Sequence, residues 1–215
     1  MFTRETPGLT QNKFKMKIIG ITGGVGAGKS TVLDYIKSIA DCKIIFTDDL
    51  AKDLCVKGEV CYEPLVKLLS KNVLLENGEI DRKKMAAMIY ADESLRNGVN
   101  SIIHPAVYKR IVEIAEQEKE KGEIRFLFIE AALLIECGYN DFVDEMWYIY
   151  ASDSVRRERL KESRGYTDER IDGIFKSQLS DGQFRSGSDF VIDNSGDPEK
   201  TYSQIRERIG LYEKE

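Results

Sequence analysis

The sequence predicts a three-layer α/β fold, a parallel five-stranded sheet between helices, with a helical lobe inserted after its second strand and a charged helical segment before its last. Short apolar strands recur at Ile18–Thr22, Lys43–Phe46, Arg125–Ile129, Glu145–Tyr150 and Asp189–Asp193, with helical stretches between them. The first strand runs into a loop with glycine at 23, 24, 26 and 28, and Val32, Tyr35, Ile36 and Ile39 then recur at helical spacing. A chain of 215 residues holds one such domain with an added lobe and is short for two full domains.

The loop is the first element that carries chemistry. Gly23, Gly28, Lys29 and Ser30 satisfy the phosphate-binding pattern G-x-x-x-x-G-K-[ST]. Backbone N–H groups can wrap phosphate oxygens only where side chains do not hold the chain away, so glycine is required. The helix that starts near Lys29 adds unpaired N–H groups and the positive end of its dipole. Gly24, Val25, Gly26, Ala27, Gly28, Lys29, Ser30 and Thr31 are therefore the expected contacts of a nucleoside triphosphate, with Lys29 on the β- and γ-phosphates and Ser30 on magnesium.

Composition narrows the alternatives. With 32 basic and 37 acidic residues the net charge is -5, which creates no field favouring nucleic acid or an anionic membrane. Cys42, Cys55, Cys61 and Cys137 show no C-x-x-C spacing and accompany a single histidine, so reduced cytoplasmic thiols are expected in place of a zinc site. No apolar run is long enough to span a bilayer. Residues 1–15 are polar, interrupted by Pro7 and Gly8, and are expected to be a flexible extension dispensable for chemistry. The guanine-reading N-K-x-D of signalling GTPases is absent.

Beyond the loop, the second strand ends at Thr47-Asp48-Asp49, at the sheet edge where open parallel sheets bind ligands. Either acid suits magnesium or an attacking hydroxyl, and either suits a helix N-cap. Residues 50–123 read as a helical lobe, with helices over Cys61–Leu69, Arg82–Tyr90 and Pro105–Lys121 and the lone His104 beside the last helix start. The third strand ends at Glu130, where a carboxylate acts through magnesium or its water. Trp147 on the fourth strand is expected to pack in the core. Residues 153–183 hold Arg156, Arg157, Arg159, Arg164 and Arg170 and read as a lid closing over phosphates. The core then comprises 16–49, 124–152 and 184–215. After the fifth strand, the Asn194-Ser195-Gly196 turn precedes Asp197-Pro198, an N-cap and first helical residue.

These parts suit small-molecule phosphotransfer, and several segments resemble dephospho-coenzyme A kinases. The resemblance lies in Ile-Thr-Gly-Gly-Val-Gly-Ala-Gly-Lys-Ser-Thr at 21–31, Thr-Asp-Asp-Leu-Ala-Lys at 47–52, Ile-Asp-Arg-Lys-Lys at 80–84 and Asn-Ser-Ile-Ile-His-Pro-Ala-Val at 100–107. It continues in Leu-Leu-Ile-Glu-Cys-Gly at 133–138, Arg-Glu-Arg-Leu at 157–160, Gln178 and Ser-Asp-Phe-Val-Ile-Asp-Asn-Ser-Gly at 188–196. It implies a P-loop kinase fold and transfer of the ATP γ-phosphoryl group to the ribose 3′-hydroxyl of dephospho-CoA. On the matching positions, Asp48 is implied to orient or deprotonate that hydroxyl. Lys29 and Arg159 are implied to bridge phosphoryl oxygens, and Ser30 with Glu130 to hold magnesium. Arg82, His104 and Glu136 are implied on the acceptor side, and Asn194, Ser195 and Gly196 beside the adenine. The chain departs from the usual family pattern at Phe46, at Glu130-Ala131-Ala132 and at Ser163, where an arginine is usual and Arg164 follows instead. A monomer or weak homo-oligomer is expected. The alternatives are another small-metabolite or nucleotide kinase, or a non-catalytic ATP-binding regulatory protein.

Overall fold

The structure is a computed structural model and describes residues 15–131, 134, 135 and 138–212. Five parallel strands, β1 (Lys17–Thr22), β2 (Cys42–Phe46), β3 (Phe126–Glu130), β4 (Glu145–Tyr150) and β5 (Phe190–Asp193), form one sheet in the order β2-β3-β1-β4-β5. The register aligns Ile21 of β1 and Phe46 of β2 with Glu130 of β3. The segments leaving β1, β2 and β3 therefore emerge together at the carboxyl edge. Because strand order reverses around β1, this edge is also the crevice where open α/β sheets bind ligands.

Alternation along each strand feeds a core on each face. Ile19 and Ile21 of β1, Phe128 of β3 and Trp147 and Ile149 of β4 face one side. They pack there with Val32, Leu33 and Ile36 of α1 (Lys29–Ile39) and Ile205 and Ile209 of α9 (Pro198–Tyr212). Ile18, Leu127, Ile129 and Met146 face the other side. Their partners include Leu65 and Leu69 of α3 (Tyr62–Leu69) and Val107 and Ile111 of α5 (Glu93–Lys121). Trp147 packs as expected, fully buried, edge-on to Phe128 and Phe190, with its indole N–H donated to Glu145 at 2.8 Å. Trp147→Ala should cost about 3–5 kcal/mol, since the aromatic payload is lost and the cavity only partly closes. Urea unfolding followed by far-UV circular dichroism should show the lowered midpoint.

Between β2 and β3 lie α2 (Thr47–Asp53), α3, α4 (Arg82–Ala91) and α5. The start of α5 corrects the sequence reading. Its N-cap is Asp92, whose carboxylate accepts from the backbone N–H groups of Ser94 and Leu95 at 2.8 and 3.1 Å. The helix then runs through Pro105, so His104 lies mid-helix on an exposed face rather than beside a helix start. A proline inside a helix costs about 3 kcal/mol. Burial of Val99 before the proline and of Val107, Ile111 and Ala115 after it offsets that cost. Near its end the buried Glu118 accepts from Lys43 of β2 at 2.8 Å and from Lys121 at 2.9 Å, which fastens α5 to the sheet.

The second strand also ends differently from expectation. Phe46 is the N-cap of α2 and no side chain caps it, so Asp48 and Asp49 stand in the first turn and neither serves as a cap. They still complement the helix dipole. Before β5, the charged segment divides into α6 (Asp153–Arg164), α7 (Asp168–Ser177) and α8 (Asp181–Ser186), capped by Ser152, Thr167 and Ser180.

Candidate active site

The glycine loop wraps the N-terminus of α1. Gly28 is the N-cap, in the left-handed region at φ 90°, with no side-chain cap and no acid in the first turn, so the helix's leading N–H groups stay available for an anion. A Cβ at Gly28 would collide with the Asn194 amide, and one at Gly24 with the Arg156 guanidinium. Those glycines admit both the phosphate and the side chains that brace the loop.

Around this loop opens a cleft of about 710 Å³. The loop and helix start supply Gly24, Val25, Gly26, Gly28, Lys29, Ser30 and Thr31 to its walls, α2 supplies Asp48, and β3 supplies Glu130. The C-terminal half of α6 closes it with Arg159, Leu160, Glu162, Ser163 and Arg164. Phosphate loop, Asp48, Glu130 and Arg159, distant in sequence, thus share one cavity. Of the expected loop contacts, Ala27 lies beneath the cleft, buried, with its carbonyl held by the neighbouring elements.

Lys29 donates to the Gly23 carbonyl at 2.8 Å and stands 3.4 Å from a Glu130 carboxylate oxygen. Burial pushes the Glu130 carboxyl up from its ordinary pKa; the Lys29 ammonium opposes that rise, and the nearby Asp48 and Asp49 add to it. The structure separates the two acids that the sequence left open. Asp49 is taken by Lys52 at 2.6 Å. Asp48 is exposed to the cleft and makes no hydrogen bond or ion pair with the described residues.

The arginines of α6 have distinct positions. Arg159 donates to the carbonyls of Ala27 at 3.3 Å and Asn194 at 2.8 Å, which fixes its guanidinium at the cleft wall. Arg157 turns outward to Asp168 and Asp172. Arg164 reaches the cleft beside Ser163, one residue after the usual position of the lid arginine. Arg156, one of the arginines expected over the phosphates, turns instead onto the loop. It donates to the Val25 carbonyl at 3.0 Å and to the Gln178 side chain at 2.9 Å, with its guanidinium 4.1 Å from the centre of the Phe175 ring. Gln178 also accepts from the Val25 N–H at 3.1 Å, so the pair holds one loop residue by the peptide groups on both sides of it. Gln178 lies 153 residues from Val25 in sequence, and only its place in a matching segment drew attention to it.

Asn194 is buried, and its amide is spent on the loop: it donates to the Ala27 carbonyl at 2.8 Å and accepts from the Thr201 hydroxyl at 3.1 Å. Ser195 accepts from the Ser152 N–H at 3.0 Å. Neither residue, nor Gly196, lines the phosphate cleft. Arg82 borders a separate pocket in the helical segment, and His104 sits exposed on α5. Glu136 lies outside the described residues.

The model of the dephospho-CoA kinase family matches residues 17–200. The chain belongs to the dephospho-CoA kinase family. Among proteins of that name, it is 36% identical over 191 residues to the one from Aquifex aeolicus, covering 89% of this chain and 95% of that protein. It is 32% identical over 192 residues to the one from Geobacter sulfurreducens, covering 89% of this chain and 96% of that protein. Solved structures carry the same fold. TT1252 from Thermus thermophilus superposes with a TM-score of 0.78 at 23% identity, over 91% of this chain and 97% of that one. A dephospho-CoA kinase from Campylobacter jejuni gives 0.68 at 20% identity, over 91% and 96%. Shikimate kinase from Acinetobacter baumannii gives 0.53 at 13% identity over 93% and 96%, a likeness of P-loop kinase architecture.

Proposed function

We propose that this chain transfers the γ-phosphoryl group of ATP to the ribose 3′-hydroxyl of dephospho-CoA, giving coenzyme A and ADP. Membership of the dephospho-CoA kinase family supports the reaction. The observation that carries the site assignment is the shared cleft in which the phosphate loop faces Asp48, which makes no hydrogen bond or ion pair with the described residues. Loop amides and the start of α1 hold the triphosphate. As the 3′-oxygen bonds to the γ-phosphorus, the bond from that phosphorus to the β,γ-bridging oxygen breaks, and Asp48 takes the hydroxyl proton. Lys29 and Arg159 neutralise charge on the equatorial phosphoryl oxygens. Arg164 joins them from the lid, and α6 excludes water that would otherwise compete with the acceptor. Asn194 acts through the loop, by holding the Ala27 carbonyl; the backbone of the 194–196 turn is the part assigned to the adenine.

Ser30, exposed to the cleft, and Glu130 offer oxygen ligands suited to magnesium. Magnesium in such a site would be held by one or two protein oxygens together with nucleotide phosphates. When bound, magnesium would neutralise charge on the phosphates. No described helix is long and apolar enough to cross a membrane, and we place the enzyme in the cytoplasm as a monomer or weak homo-oligomer.

The test is a phosphotransfer assay with ATP, magnesium and dephospho-CoA, with AMP and adenosine as competing acceptors. Coenzyme A carrying the new phosphate on the 3′-oxygen is the expected product. Preferential phosphorylation of AMP or adenosine would transfer the chain to another class of kinase, and an ATP complex with no transfer would make it a binding protein.

A further inference from the structure

The glycine loop contains a tight turn. The Ala27 N–H donates to the Gly24 carbonyl at 3.1 Å, across Val25 and Gly26. Gly26 stands at φ 84°, and Val25 has a negative φ, since Ser70 alone among the described non-glycine residues has a positive one. That combination is a type II turn with glycine at its third position. A type I turn joins the same two ends with the central peptide turned over, and glycine accepts either arrangement because it has no Cβ. The choice between them is therefore left to groups outside the turn. We propose that Arg156 and Gln178 make that choice and act as positioning residues for phosphoryl transfer, holding the peptide between Val25 and Gly26 with its carbonyl turned from the nucleotide phosphates and its N–H towards them.

Arg156 donates through Nε to the Val25 carbonyl at 3.0 Å. A trans peptide sets its carbonyl and its N–H in opposite directions, so this bond points the Gly26 N–H away from Arg156. Gly26 belongs to the lining of the phosphate cleft and Arg156 does not. With the peptide turned over, a carbonyl oxygen would meet the phosphates where an amide donor is needed. Gln178 fixes the preceding peptide: its side-chain oxygen accepts from the Val25 N–H at 3.1 Å and from the Arg156 guanidinium at 2.9 Å. The Val25 N–H is thus spent on Gln178 and not on a phosphate. Arg156 is held in place for this task. Its side chain is 11% exposed, against 32% for the neighbouring Arg157, and it lies over the Phe175 ring with Asp153 on a further nitrogen. The same device recurs two residues on, where Asn194 and Arg159 hold the Ala27 carbonyl and so orient the Gly28 N–H.

The role rests on the kinase reaction proposed above, and the test separates the two. Gln178→Met keeps the bulk and neutrality of the side chain and removes its acceptor oxygen, Gln178→Glu keeps the acceptor, and Arg156→Met removes the donor to Val25. Affinity for the β,γ-imido analogue of ATP with magnesium is measured by calorimetry, and steady-state kinetics follow with ATP and dephospho-CoA. Gln178→Met and Arg156→Met should each weaken the analogue and raise the KM for ATP by about tenfold, lower kcat by about tenfold, and leave the KM for dephospho-CoA within about twofold. Gln178→Glu should bind the analogue within about threefold of wild type. A loss of folded protein lowers kcat and moves neither KM, so the selective rise in the KM for ATP is a change that a merely structural role does not produce. Gln178 is half-buried at the C-cap of α7, and its two variants decide the outcome even where Arg156→Met does not fold. Unchanged analogue affinity in Gln178→Met, or an equal loss in Gln178→Glu, would overturn the proposal. The expected affinity pattern without any transfer to dephospho-CoA would refute the reaction and leave the positioning role standing. A wild-type chain that does not bind the analogue would refute both.

Discussion

Replacing Lys29 with Ala should lower kcat for dephospho-CoA phosphorylation by about 10²–10³, the loss of about 2.7–4 kcal/mol that follows removal of one preorganised charge stabiliser from a water-poor site. Lys29 is positioned for this by its own backbone: the ammonium is held by the Gly23 carbonyl and lies beside Glu130, at the base of the phosphate loop. The variant should stay folded. Removing one partner of a buried ion pair is ordinarily costly because the other charge is left stranded. Here the Glu130 carboxylate is only partly buried and lines the open cleft, where water can solvate it when its cation is gone. A thermal melt close to wild type together with the fall in kcat would separate catalysis from stability. Undiminished turnover at saturating substrates would remove Lys29 from the transition state.

Asp48→Asn should reduce kcat by about 10²–10⁴, the usual contribution of a positioned general base, while KM for ATP stays within about twofold. The amide keeps the shape and loses the proton acceptor. The split matters because Asp48 touches the cleft from α2, outside the nucleotide-binding loop. A large rise in KM for ATP with kcat preserved would make it a nucleotide-positioning residue instead. Asp49→Asn is the matched control. Its carboxylate is paired with Lys52 and lies outside the cleft lining, so transfer should hardly change.

The sheet and the phosphate loop were legible because each rests on local signals. Strand alternation and four glycines in a row of six positions are properties of adjacent residues, and the structure places all five strands within a residue or two of their predicted limits. The start of α5 was misread at Pro105 because a proline usually marks a helix boundary, whereas here the Asp92 cap and buried residues on both sides of the proline carry the helix through. Local chemistry did not choose between Asp48 and Asp49, since two adjacent acids are alike there, and only the matching segment pointed to Asp48. The structure adds a difference in surroundings: Lys52, one turn on, pairs with Asp49. The clamp of Arg156 and Gln178 on Val25 was invisible for a different reason. Its members come from three separated segments, and among several arginines of one charged helix nothing local marks the one that the fold turns onto a backbone carbonyl.

Diffraction from crystals grown with a non-hydrolysable ATP analogue, magnesium and dephospho-CoA would examine the shared cleft directly. The ribose 3′-oxygen should lie between the γ-phosphorus and the Asp48 carboxylate, about 2.6–3.2 Å from a carboxylate oxygen. A ribose bound elsewhere, with Asp48 facing solvent while the triphosphate fills the loop, would contradict the assignment.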